Sequence, residues 1–259
     1  MTRRGMNRRR FLSRVVPGAG ALALAGCDAL SESPQVRDML KSAEGLTMRV
    51  QRFFLSADTL AREFTEADIS PDFRANGTTN PAGPDYRALA ANGFADWRLK
   101  VGGMVERPTE FSLDDLRAMP ARTQITRHDC VEGWSSIGKW TGVQLSRVLD
   151  QVGLKPEARY IVSTCADEIG RSLDGNNRYY ESIDLFDAFH PQTILAYQMN
   201  DRVLPIAHGA PLRMRVERQL GYKMAKYIMR IDAVDSLAAI GRGNGGYWPD
   251  RGYDWYAGI

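Results

Sequence analysis

The sequence predicts an α+β fold with mixed or antiparallel sheets and short helices. Two observations carry that prediction. Apolar alternation marks many short strands, and the amphipathic segments among them are short and follow no regular strand–helix order. No G-x-G-x-x-G joins a predicted strand to a predicted helix, and no P-loop occurs, which speaks against a doubly wound nucleotide-binding sheet.

The elements follow in chain order. Residues 36–55 are polar with a helical pattern and read as a tether leading into the domain. "SPDFRANGTTNPAGPDY", residues 70–86, is dense in Pro, Gly and Asn and reads as a long loop of the kind that carries function. Residues 97–108 read as a strand broken at Gly102 and Gly103. Ser112 and Asp115 form a capping box for a short helix that Pro120 stops. "TQITRH", residues 123–128, alternates as a strand.

Residues 141–153 read as an amphipathic helix with Leu145, Val148, Leu149 and Val152 on its apolar face and Gly153 at its end. Residues 159–165 read as a buried strand, 193–205 as a hairpin turning at Asn200-Asp201, and 225–236 as another strand. The expected division is a signal over 1–26, tether and leading helix over 27–60, one domain over 61–240 and a glycine- and aromatic-rich tail over 241–259. The tail is expected to wrap the surface, its aromatics packing on the domain rather than meeting a ligand.

The N-terminal segment carries address signals. Arg8, Arg9, Phe11 and Leu12 match the twin-arginine export pattern. The apolar run 15–26 is too short for a membrane span and ends in Leu24-Ala25-Gly26-Cys27, which resembles a lipobox with Cys27 as the lipidated residue. With Asp28 following it, the expectation is a lipid-anchored protein on the periplasmic face of the bacterial inner membrane. Six arginines and no acid precede Cys27, so the formal charge of +3 becomes −3 once they are removed. The basic balance therefore belongs to the signal and gives no support to nucleic-acid binding.

"ITRHDCVEGW", residues 125–134, concentrates the chemistry: His128, Asp129, Cys130, Glu132 and Trp134 where a strand ends. If Cys27 carries lipid, Cys130 and Cys165 are the remaining cysteines, and a disulfide between them is one reading. A nucleophilic thiol activated by His128, which shares a strand face with Cys130, is a second, giving a hydrolase or transferase. A metal thiolate is a third. It requires another source of ligands, because His128, His190 and His208 make no closed zinc pattern. A tethered binding protein without catalysis is the non-enzymatic alternative.

"RHDCVEGWSSIGKWTGVQL" resembles the metal-binding segment of the sulfite oxidase family of molybdopterin-dependent oxidoreductases. The resemblance is strongest to exported, single-domain members of the periplasmic methionine sulfoxide reductase catalytic-subunit type. It continues in order through "ARYIVSTCADE", "YYESIDLFDAFHPQTILAYQMNDRVLPIAHGAPLRMRV" and "LGYKMAKYIMRIDAVD", over roughly residues 95–235. It implies the family's molybdopterin-binding fold. The C-terminal immunoglobulin-like domain of classical members is not expected, since 24 residues follow Asp235.

The resemblance implies that Cys130 is the protein ligand of molybdenum and that the pterin dithiolene supplies two more sulfurs. It places Asn76, Thr79, Thr164 or Cys165, His208, Arg213, Gly221, Tyr222 and Lys223 against the cofactor, with Arg213 and Lys223 at its phosphate. Two departures stand out: His208 replaces an Asn of the sulfoxide reductase relatives, and the gapless count puts Cys165 where they have Thr. Glu132 is the candidate proton-handling acid, Asp129 a solvated or ion-paired one, and Trp134 and Trp140 pack beneath the site. The implied activity is oxygen-atom or electron transfer on a small substrate. No C-x-x-C-H haem motif is present, so the electron partner would be a membrane b-type or a soluble c-type cytochrome.

Overall fold

The structure is a computed structural model that describes residues 34–56, 58–169 and 178–259, the first eight of them as backbone only. The export and lipobox residues, Cys27 included, lie outside the described residues. Helix α1 spans Pro34–Phe54. Gln51–Ile259 forms one compact unit, and the preceding residues of α1 belong to another.

Two five-stranded sheets build the larger unit. The first has the order β2-β1-β10-β5-β6, from Thr109–Phe111, Leu99–Gly103, Ile228–Val234, Tyr160–Glu168 and Arg178–Asp184. It is mixed, because β1 and β10 run parallel while its other pairs are antiparallel. The second orders β3 (Ala121–Asp129), β4 (Ser135–Gln144), β7 (Ile194–Met199) and β8 (Arg202–Val203), with β9 (Arg213–Arg215) also on β7; all its pairs are antiparallel. Among the described residues four short α-helices accompany the strands: α2 (Pro84–Ala91), α3 (Leu113–Ala118), α4 (Leu145–Val152) and α5 (Leu185–Ala188). The expected α+β class with mixed sheets holds.

Local chemistry explains the elements that were legible. Ser112 Oγ accepts from Asp115 N at 3.1 Å and Asp115 Oδ2 from Ser112 N at 2.8 Å, closing the capping box of α3. Asn200 and Asp201 both adopt positive φ, the conformation a two-residue hairpin between β7 and β8 needs. Leu145, Val148, Leu149 and Val152 are fully buried, so α4 packs its apolar face as expected.

Two boundaries differ. The helix expected over 141–153 starts at Leu145, because Thr141–Gln144 continue β4 and pair with β7. Gly142 permits that pairing: a Cβ there would lie 2.1 Å from the Leu195 carbonyl oxygen. The long loop ends at Gly83, since Pro84 occupies the first turn of α2, where its missing N–H costs nothing.

The main core lies between the first sheet, α3 and α4, around Leu99, Leu116, Leu149, Ile161 and Ile231. A smaller apolar cluster under the second sheet joins Phe73, Trp140, Ile194 and Met199. The tail is part of the compact unit. Asp250 accepts from Arg242 N at 2.7 Å, Asn244 N at 2.9 Å and the Tyr180 hydroxyl of β6.

Candidate functional site

β3 and β4 form a hairpin whose turn is Cys130–Trp134. Cys130 N donates to Trp134 O at 2.9 Å and Gly133 N to Cys130 O at 3.0 Å. Gly133 sits at φ +84°, which a side chain rarely tolerates. The turn leaves Cys130 only 8% exposed, and Asn76 of the long loop brings its amide nitrogen to 3.9 Å from the sulfur. Burial pushes the Cys130 thiol above its ordinary pKa.

Cys130 and Cys165 are both free thiols, which overturns the disulfide reading. The nucleophile reading also loses its activating pair. His128 Nδ1 faces the Arg215 guanidinium at 3.2 Å and Met224 Sδ at 3.3 Å. Its Nε2 has no hydrogen-bond partner among the described residues and packs where a Cβ on Gly221 would come to 2.4 Å. Burial and the neighbouring arginines hold this imidazole well below its usual pKa, so it is neutral.

The inward face of β3 is polar. Gln124, Thr126 and His128 are buried and meet β9 and Glu217. Arg215 and Glu217, both fully buried, pair at 2.7 Å. Trp140 lies beneath two guanidinium groups, Arg213 at 4.8 Å and Arg215 at 4.5 Å from its ring centre. Asp129 is ion-paired to Arg127 at 2.8 Å and accepts a hydrogen bond from Ser135 Oγ.

Cys130 opens on a cavity of about 240 Å³. The loop supplies Asn76, Gly77 and Thr78; the hairpin turn supplies Cys130, Val131 and Glu132; β5 and its extension supply Asp167 and Ile169; β6 supplies Tyr179. Gly221, Tyr222, Met224 and Lys226 form a further wall, and Trp248 and Tyr253 of the tail complete it. Glu132 Oε2 accepts from Trp134 Nε1 at 2.9 Å, so the half-buried indole orients the carboxylate.

The structure therefore gathers Asn76, Cys130, Glu132, Gly221 and Tyr222 of the sequence-derived residues around one space. The others lie outside its lining. Thr79 is exposed. Thr164 lies within β5, opposite Arg230 and Tyr180, and Cys165 is fully buried in the main core. Lys223 is buried and paired to Glu181 at 2.6 Å. The lysine that reaches the cavity is Lys226, three positions on. Its Nζ donates to Asn76 O at 2.7 Å, to Ala207 O at 3.2 Å and to Thr78 O. Sequence reasoning missed Lys226, Asp167, Met224 and the two tail aromatics; the second lysine of "LGYKMAKY" was the available signal.

Two buried cations stand close together. Gly209, at φ +112°, lies against both: a Cβ there would be 2.9 Å from Lys226 Cβ and 3.2 Å from Arg213 Cβ. Neither cation has a carboxylate at ion-pair distance among the described residues. Arg213 donates to His208 O at 3.0 Å, and its Nε has no partner there. Burial first, then a neighbouring guanidinium, depresses both: Lys226 to about 7 beside Arg213, and Arg213 to about 9 beside Arg215. His208, intermediate in exposure, is held near 4 by burial and by Arg213 and Lys226. Asp167 is buried with Oδ1 unpartnered, and burial raises its carboxyl to about 6.

Two buried cations without a carboxylate, and the orphaned Arg213 Nε and Asp167 Oδ1, are costly unless a ligand offsets them. A phosphate suits Arg213 and Lys226, and ring N–H groups suit Asp167. That donor and acceptor set fits a phosphorylated pterin. Among the described residues no three of His, Cys, Asp and Glu come together to hold an ion, so a metal bound to Cys130 takes its other ligands from a cofactor.

Residues 87–238 match the oxidoreductase molybdopterin binding domain, and the chain belongs to that family of molybdopterin-binding oxidoreductases, the sulfite oxidase family. Its fold is of the sulfite oxidase type and its cofactor is molybdopterin. Among curated relatives, a chain of Azospira oryzae provisionally named protein-methionine-sulfoxide reductase subunit YedZ1 is 36% identical over 251 residues, covering 97% of this chain and 87% of that one. The protein-methionine-sulfoxide reductase catalytic subunit MsrP of Xanthomonas axonopodis pv. citri is 31% identical over 239 residues, covering 88% and 70%. Among solved structures, the sulfane dehydrogenase SoxCD of Paracoccus pantotrophus aligns with a TM-score of 0.48 at 25% identity, covering 55% of this chain and 39% of that one.

Proposed function

We propose that this oxidoreductase reduces S-oxides, methionine sulfoxide foremost, at a molybdenum ligated by Cys130. The carrying observation is the charge of the cavity: of its lining residues only Lys226 is cationic, while Glu132 and Asp167 are acidic. With Lys226 assigned to the cofactor phosphate, no cation remains among the described lining residues for an anion such as sulfite. A neutral sulfoxide needs none. The names of the methionine sulfoxide reductase relatives support the same reading.

Bound molybdopterin supplies a metal that exchanges oxygen and two electrons with substrate. The chain's own residues do the rest. Cys130 holds the metal, and its burial keeps water from the sulfur. Arg213 and Lys226 neutralise the phosphate, and Asn76, Asp167 and the backbone at Gly221 take the pterin's polar groups. Reducing a sulfoxide to a thioether and water consumes two electrons and two protons. Glu132, exposed on one side and oriented by Trp134, carries protons from solvent into the cavity through its carboxylate.

The electrons come from a membrane b-type or soluble c-type cytochrome. The proposal includes export by the twin-arginine route and lipid on Cys27, holding the enzyme on the periplasmic face of the inner membrane and raising the partner's effective concentration. The arginine pair and the lipobox sequence support this. The functional test is reduction of methionine sulfoxide by the molybdenum-loaded protein with a reduced viologen dye. Dye oxidation that depends on the sulfoxide is expected. Oxidation of sulfite with no sulfoxide reduction would contradict the reading.

A further inference from the structure

The tail lies beyond the matched residues 87–238, yet Trp248 and Tyr253 form part of the cavity wall. Their position is built, not incidental. Gly252 at φ +98° turns the chain between them. Asp250 anchors the turn through the bonds described above, and the Tyr222 hydroxyl donates to Asp254 O at 2.6 Å. The two rings stand 5.1 Å apart, and Tyr253 meets Tyr222 edge-on at 5.4 Å.

The cavity is graded. Lys226 and Asp167 are 9% and 3% exposed, whereas Val131 and Tyr253 are 47% and 39% exposed. Ile169 and Trp248 are intermediate. The charged pair Lys226 and Asp167 thus lies deep, and the mouth sets Val131 and the aromatic rings beside one carboxylate, Glu132. Such a mouth has no use for a small hydrated anion. It favours methylene and methyl groups, and sulfur beside aromatic edges.

We propose that Trp248 and Tyr253 are specificity determinants that receive the apolar flanks of an S-oxide carried on a side chain, so that the enzyme prefers methionine sulfoxide within a peptide to dimethyl sulfoxide. The inference rests on the S-oxide reading of the site. It assigns substrate selection to a segment outside the family domain.

The test uses the molybdenum-loaded protein, wild type and Trp248→Ala, Tyr253→Ala and Trp248→Phe variants. Two readouts are taken: the ratio of kcat/KM for the sulfoxide of N-acetylmethionine methylamide to that for dimethyl sulfoxide, and calorimetric affinity for the first compound. Molybdenum content is matched among samples. Removing either ring is expected to lower the ratio about tenfold, through KM, as loss of an apolar subsite does, with Trp248→Phe retaining it. Ratios and affinities within twofold of wild type in both alanine variants would overturn the proposal, as would a wild type that does not bind the methionine compound. If wild type binds it, the alanine variants bind it more weakly, and none turns it over, the recognition role stands and the reductase reading fails.

Discussion

The Asn76 side-chain amide reaches to 3.9 Å from Cys130 Sγ across 54 residues of sequence. That contact ties the glycine-rich loop to the hairpin turn and closes one side of the cavity. Asn76→Leu removes the donor at similar volume. It is expected to lower molybdenum and pterin occupancy of the purified protein severalfold, read by metal analysis and by fluorescence of the released, oxidised pterin. Full occupancy would mean that the loop merely covers the site.

On the proposed reading Lys223 is structural and Lys226 binds the cofactor. Lys223→Met leaves Glu181 buried and unpaired, which costs about 3 kcal/mol and for a domain of this size lowers Tm by roughly 6–12 °C. Lys226→Met removes a phosphate cation and is expected to weaken pterin retention roughly tenfold or more, since a charge-assisted hydrogen bond contributes about 1.5–3 kcal/mol. Thermal melts and pterin release distinguish the two. The reverse pattern would restore Lys223 as the cofactor lysine.

Glu132→Gln keeps the indole contact and removes the proton-carrying carboxylate. The expected result is a fall of about a hundredfold in kcat with KM little changed, within the usual range for a positioned acid–base group. An unchanged kcat would leave Glu132 as a solvated acid at the rim.

The pH dependence of the cofactor-free protein tests the cation cluster. His208 in the fold is held near 4, below the ordinary 6.5. Between those values His208 of the unfolded chain binds a proton that the folded one does not, so the contribution of His208 to stability falls as pH drops from about 6.5 to about 4. His208→Gln is expected to flatten that part of the stability–pH curve measured by urea unfolding. A curve of unchanged slope would show that Arg213 and Lys226 do not repel an imidazolium there.

Much of the site was legible because its signals are local. Cys130, Glu132 and Trp134 share one five-residue turn, and the capping box and the Asn200-Asp201 hairpin are written within four residues of sequence. What was hidden depends on partners far along the chain. Glu181 on β6, 42 residues away, engages Lys223 and leaves Lys226 to the cavity. β4 was hidden because Gly138 and Gly142 carry no apolar pattern; their worth lies in close approach to Phe73 and to β7. The polar inward face of β3 reads as a solvated strand until Arg215 and Glu217 are seen beneath it. The tail aromatics read in sequence as packing residues, and the fold of residues 241–259 brings two of them to the cavity.

X-ray absorption at the molybdenum edge, on wild type and Cys130→Ser protein, tests the central claim most directly. The account predicts three sulfur neighbours of molybdenum in wild type and one fewer in the variant. An equal sulfur count in both, or wild-type protein without molybdenum from a host that makes the cofactor, would contradict it.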